Sequence, residues 1–213
     1  MNKTAIIFDL DGTLWDTSKK VLPAWNIVLD RYPELNKKLT QEEMNSFFGK
    51  TLDEIAEMML PCVDEKKRLD VLNECCKEEQ VYLNEHGGNL YPDLENTLKR
   101  LKEKYDLYIV SNCQDGYLQS FLDFHVLNSY FKDYEMSGRT GQRKCENIKE
   151  VIRRNKLENA MYVGDTIDDF NAANGAMIPF VYANYGFGNV DDFKYEISKI
   201  SDLVSVADSV KFK

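Results

Sequence analysis

A chain of 213 residues is long enough to bury a substantial core, as one domain or as two small ones, and its 43% hydrophobic and 30% charged residues are an ordinary globular mixture. A formal net charge of −9 argues against nucleic acid as a partner, because a phosphate backbone requires a basic face. No apolar run approaches the length of a membrane helix, and Met1-Asn2-Lys3-Thr4 leads straight into apolar residues without a signal-peptide pattern. The five cysteines (Cys62, Cys75, Cys76, Cys113, Cys145) are odd in number and hold no C-x-x-C pair. They read as buried apolar residues of a reducing compartment, so a cytoplasmic setting is expected.

The first element is Ile6-Ile7-Phe8-Asp9-Leu10-Asp11-Gly12-Thr13, an apolar strand pattern that ends in two carboxylates one residue apart. Residues at i and i+2 of a strand share a face, so both carboxylates address one volume if the strand geometry persists. The C-terminal ends of parallel strands are where α/β sheets bind ligands. Like charges this close repel unless one takes a proton or a cation lies between them. Asp9 and Asp11 therefore suit a divalent metal, a nucleophile, or both.

From Trp15 to His86 the pattern is helical throughout. Val21, Leu22, Trp25, Val28 and Leu29 form one apolar stripe, while Thr40 with Glu43 and Thr51 with Glu54 each spell a capping box. Leu69, Leu72, Cys76 and Leu83 trace a longer helix ending near Gly87-Gly88. This predicts a helical cap over residues 15–87, inserted into a core of residues 1–14 and 88–213 and able to cover the carboxylate pair. Beyond it, helical repeats precede two more strands, Leu107–Val110 running into Ser111-Asn112 and Ala160–Val163 running into Gly164-Asp165. Ile178–Tyr182 reads as a further strand, with Pro179 tolerable only near its start. Helices alternating with apolar strands predict an α/β fold, a doubly wound, Rossmann-like parallel sheet.

Three more segments carry chemistry. Asp165 and Asp169, one helical turn apart, are placed to join Asp9 and Asp11 in a magnesium site, although manganese shares the same preference for oxygen. Ser111-Asn112 offers a hydroxyl and backbone N–H donors suited to phosphate oxygens. The basic run Arg139–Lys144 can supply a cation to a carboxylate and a phosphoryl oxygen. An EF-hand does not fit D-x-D-G here, because a strand precedes it and loop position 12 is Lys20. In the insert, Phe47-Phe48-Gly49-Lys50-Thr51 is the candidate substrate-selecting loop, with Lys50 set to meet an anionic substrate; an ordinary solvated lysine is the competing reading.

Taken together, D-L-D-G-T-L after a strand, S-N after a second, a lysine about twenty residues before V-G-D-T-I-D-D, and the helical insert resemble the haloacid dehalogenase-like hydrolase superfamily. The likeness is to its phosphoglycolate phosphatase-like members with a helical cap, and it spans essentially the whole chain. The resemblance implies a magnesium-dependent phosphatase of a small phosphorylated metabolite, with Asp9 as the nucleophile forming an aspartyl-phosphate and Asp11 as general acid and base. It implies metal ligation by the Asp9 carboxylate, the Asp11 backbone carbonyl and Asp165, with support from Asp169, and phosphoryl binding by Ser111 and Lys144. A phosphoglucomutase, a pyrophosphatase and a phosphonate hydrolase share the scaffold, and a non-catalytic phosphate sensor is the alternative outside enzymes. Asp11 argues against a dehalogenase, which needs neither a leaving-group proton nor a metal. An acidic surface is compatible with a monomer or a homodimer.

Many relatives place proline after the lysine, whereas Cys145 follows here, so Arg143 competes with Lys144 for the role. In a phosphate-release assay, Lys144→Ala is expected to lose most activity and Arg143→Ala to keep it; the reverse result assigns the role to Arg143.

Overall fold

The computed structural model describes residues 4–212. β1 (Ala5–Phe8) is wholly buried. After a tight turn, β2 (Trp15–Asp16) leads into α1 (Ser18–Leu29), α2 (Gln41–Phe47), α3 (Leu52–Met59) and α4 (Glu65–His86). Thr40 and Thr51 close capping boxes with Glu43 and Glu54 as their spacing predicts, and Asp64 caps α4. β3 (Asn89–Leu90) then pairs antiparallel with β2. The helical insert thus leaves and returns through a short ribbon, and Trp15–Asp16, expected at the start of a helical region, are strand. Two residues are too few to show a period of two.

The rest of the chain alternates. It runs through α5 (Leu94–Lys104), β4 (Asp106–Ser111), α6 (Tyr117–Phe124), β5 (Phe131–Met136), α7 (Ser137–Thr140), α8 (Lys144–Asn155), β6 (Ala160–Gly164), α9 (Ile167–Gly175), β7 (Phe180–Ala183), β8 (Tyr195–Ile197) and α10 (Leu203–Val206). Six strands form one sheet in the order β5-β4-β1-β6-β7-β8, every pair parallel. Pro179 lies just before β7, where its carbonyl accepts from the Tyr162 N–H at 2.9 Å.

Alternation along the strands builds the layers. Ile6, Phe8, Leu107, Ile109, Met161 and Val163 join an apolar cluster that includes Leu98 of α5, Phe121 of α6 and Leu203 of α10. Ala5, Ile7, Tyr108, Val110, Ala160 and Tyr162 join a second cluster with Ile148 and Val151 of α8 and Ala172 and Ala173 of α9. Odd and even positions therefore face opposite layers, which is the doubly wound α/β architecture. Phe8 stands opposite Ile109 on one side and Val163 on the other, so the residues beyond β1, β4 and β6 emerge along one edge. The winding reverses beside β1, the place where such sheets form a ligand crevice.

Trp15 anchors the ribbon. It is fully buried, with Tyr117 and Phe121 packed edge-on at centroid distances of 5.3 and 5.1 Å. All five cysteines are free, and no helix among the described residues is long and apolar enough to cross a membrane. Because Phe121 also meets Phe131 and His125, Phe121→Ala is expected to destabilise the fold by about 3–5 kcal/mol. Urea unfolding checks this as a lower midpoint at unchanged slope.

Candidate active site

The Asp9 N–H donates to the Val163 carbonyl at 2.8 Å, so the ladder between β1 and β6 runs one residue past Phe8 and fixes Asp9. The chain then turns back, with the Leu14 N–H on the Leu10 carbonyl at 2.8 Å and the Gly12 N–H on the Trp15 carbonyl at 3.0 Å. Asp9 and Asp11 are both buried. Asp11 Oδ1 accepts from the Tyr117 hydroxyl at 2.7 Å and from the Thr17 hydroxyl at 3.2 Å. Asp165 follows β6 and takes the Phe187 N–H at 2.7 Å on Oδ2 and the Thr13 hydroxyl at 3.4 Å on Oδ1. Two glycines make room for it. A Cβ on Gly12, whose φ is +83°, would lie 2.2 Å from Asp165 Oδ2, and one on Gly186 would lie 2.3 Å from the same atom.

Asp169 ties the opening of α9 to Lys144. Its Oδ2 accepts from the Asp165 and Thr166 N–H groups and the Thr166 hydroxyl at 3.1, 3.0 and 2.7 Å, completing a capping box. Its Oδ1 accepts from Lys144 Nζ at 2.6 Å, and the same ammonium donates to Asp9 Oδ1 at 2.7 Å. Lys144 is the one buried cation among the described residues, whereas Arg143 next to it is exposed. Burial works against the Lys144 charge, but Asp169 and Asp9 outweigh it and raise its pKa above the ordinary value.

Burial also drives the carboxylates. It pushes Asp9 up to about 6 against the pull of Lys144, and it lifts Asp165 well above the usual range with help from the charges of Asp169 and Asp9. Asp11 is likewise raised well above that range, chiefly by burial, with the Tyr117 hydrogen bond opposing. One carboxylate oxygen each from Asp9, Asp165 and Asp169 lie within 4.8 Å of one another. This all-oxygen set, short of positive charge, fits a hard divalent cation.

The sequence model that describes haloacid dehalogenase-like hydrolases matches residues 6–183. The chain belongs to that family. It is 28% identical to the phosphoglycolate phosphatase of Aquifex aeolicus, with 96% of each chain aligned. It is 23% identical to the pyrophosphatase PpaX of Listeria welshimeri, with 95% of each aligned. Its fold matches a solved haloacid dehalogenase-like family hydrolase of Streptococcus pneumoniae at a TM-score of 0.82 and 20% identity, covering 95% of this chain and 97% of the other.

In this hydrolase the edge holding Asp9, Asp11, Asp165, Asp169 and Lys144 also holds Ser111 and Asn112, both buried. The Asn112 side chain is occupied: its amide donates to the Gly49 carbonyl at 2.7 Å and its Oδ1 accepts from Ser137 at 2.8 Å. Any phosphate contact of Asn112 therefore falls to its backbone N–H. The Phe47–Lys50 loop lies against the core, with Phe48 stacked on Phe187 at 4.4 Å. Lys50 lines the cavity beside Asp9 and Asp11, and its ammonium sits 2.5 Å from the Asp168 carboxylate.

Glu79 was not singled out by sequence. This α4 residue is buried, lines the same cavity as Asp9 and Asp11, and accepts from Gln114 Nε2 at 3.0 Å. Its signal was an acid in the gap of the Leu72-Cys76-Leu83 stripe, a place where an apolar residue is the ordinary occupant. Tyr117 and Thr17, the partners of Asp11, carried no pattern of their own.

A divalent cation is expected to raise the melting temperature, by the equivalent of about 2.7 kcal/mol at a hundredfold excess over Kd. Chelation should reverse the shift and Asp165→Asn should abolish most of it, as thermal scanning at graded metal concentrations will show.

Proposed function

We propose that this hydrolase is a magnesium-dependent phosphatase of a small phosphorylated metabolite, working through an aspartyl-phosphate on Asp9 beneath a cap of residues 15–87. The observation that carries this reading is the division of labour between two acids at one strand end. Asp9, at about 6 and touching the Lys144 ammonium, is mostly ionised at neutral pH. Asp11, raised by burial and with two hydroxyls but no ammonium beside it, is the acid placed to carry a proton. Neighbouring carboxyls with separated pKa values make a nucleophile and an acid.

In the first step an Asp9 oxygen bonds to phosphorus as the bond from phosphorus to the leaving oxygen breaks. Asp11 gives that oxygen its proton, releasing the alcohol. In the second step a water oxygen bonds to phosphorus, its proton passes to Asp11, and the bond from phosphorus to Asp9 breaks. Free phosphate and the starting enzyme result. Lys144 and the Ser111 hydroxyl face the phosphoryl oxygens, the lysine remaining fixed between Asp9 and Asp169 throughout. A magnesium ion held by the Asp9 and Asp165 carboxylates and the Asp11 carbonyl, with Asp169 behind them, would neutralise charge on the transferring group. The Aquifex phosphoglycolate phosphatase relative supports the same class of reaction.

Phosphate release from a panel of sugar phosphates, nucleotides, phosphoglycolate and pyrophosphate tests the proposal. Metal-dependent turnover that Asp9→Asn lowers by more than about a thousandfold is expected. No release from any compound by folded, magnesium-supplied protein would end the phosphatase reading.

A further inference from the structure

The cap wall of the cavity carries a polar pair inside an apolar shell. Glu79 and Trp25, each only 4% exposed, line the cavity together with Met44, Phe47 and Ile55. Glu79 has Gln114 donating to it from the core. Burial raises the Glu79 carboxyl to about 7, with the Gln114 and Trp25 side chains opposing; no hydrogen bond closes on the Trp25 indole N–H, which is a buried donor without a partner. A buried polar group left unpaired costs free energy that a ligand atom can recover. The pair also lies near the chemistry, since Asp9 and Asp11 line the same cavity.

We infer that Glu79 and Trp25 select a leaving alcohol that carries a second hydroxyl, the hydroxyl donating to the Glu79 carboxylate and accepting from the Trp25 indole. This rests on the phosphatase reading above and names its substrate class, the phosphate monoesters of small polyols. Other groups satisfy only half of the pair. A carboxylate accepts from Trp25 but sets a second anion against Glu79, and the leaving phosphate of pyrophosphate does the same with more charge. An ammonium pairs with Glu79 but offers Trp25 no acceptor, and an alkyl group serves neither. The cavity is small, about 50 Å3, and suits a short leaving group. Specificity for a hydroxyl follows from buried partners that its absence leaves unpaired.

The test compares kcat/KM with magnesium for four esters of matched size: 2-hydroxyethyl phosphate, propyl phosphate, 2-aminoethyl phosphate and phosphoglycolate. The wild-type protein is expected to prefer the hydroxylated ester to each of the others by at least about tenfold. Glu79→Gln should raise the rate on phosphoglycolate relative to 2-hydroxyethyl phosphate at least about tenfold, and Trp25→Phe should shrink the preference for hydroxyl over propyl. A wild-type preference for phosphoglycolate, equal rates on all four esters, or ratios unmoved by Glu79→Gln would each overturn the assignment. A merely structural Glu79 would lower every rate together and leave the ratios alone. Calorimetric binding of 3-hydroxypropyl-, butyl- and 2-carboxyethylphosphonate reads the same selection without turnover. Hydroxyl-selective binding with no turnover of any ester sinks the phosphatase reading alone. Turnover without selectivity in either measurement sinks this inference alone.

Discussion

The site is organised by the shortage of positive charge among its buried carboxylates. At the separations found here, two carboxylates repel by on the order of 3–4 kcal/mol at an effective dielectric near 20. Lys144 is the single buried ammonium among the described residues, and it is spent on Asp9 and Asp169. Asp165 has only a backbone N–H and a hydroxyl for company. Its charge is met by no ammonium in direct contact, and a proton or a dication is the natural answer to it. The close approach that Gly12 and Gly186 permit holds this carboxylate in place despite the repulsion.

The same shortage separates Asp9 from Asp11. Both are buried and only one residue apart, yet Lys144 reaches Asp9 while Asp11 has two hydroxyls. A hydroxyl stabilises a carboxylate far less than an ammonium does. Position along one strand end is therefore enough to give two chemically identical side chains different electrostatic surroundings. The parallel sheet supplies the rigidity this requires, because the β1 register is fixed on both sides, by β4 and β6.

Much of this was legible in the sequence, for a physical reason. Asp9, Asp11, Asp165 and Ser111 each end an apolar run, and acids or hydroxyls at the ends of buried strands have few ordinary explanations. Lys144 rested on spacing and resemblance; its burial between Asp9 and Asp169 is a tertiary fact that no local pattern encodes. The outer strands escaped notice because an edge need not be apolar on both faces: β5 reads Phe-Lys-Asp-Tyr-Glu-Met, and its Asp133 and Glu135 are paired with Arg154 of α8. Glu79 was missed because a glutamate in a charged helix ordinarily reads as solvated. Only the packing of α4 against the core turns it inward.

That packing also leaves the insert attached more firmly at α4 than at the Phe48–Lys50 rim. α4 is bonded to α6 through Gln80, which reaches the Gly116 carbonyl at 3.0 Å and Ser120, and through Asn84, which accepts from Ser120 at 2.6 Å. Glu79 lies on this anchored helix and is itself tied to Gln114, so it stands ready before any ligand arrives. The Phe48–Lys50 rim is held instead by one amide hydrogen bond, one aromatic stack and one half-exposed ion pair. Contacts of these kinds contribute about 0.5–1.5 kcal/mol for the hydrogen bond, about 0.5–1.5 for the stack and about 0–1 for the ion pair. If the rim opens, the contacts it gives up amount to a few kcal/mol. A ligand bound to a preset floor needs only a modest additional gain at the rim to shift that balance. In the proposed reaction, closure over the bound ester then depends on the leaving group's fit against Glu79 and Trp25, before the alcohol departs.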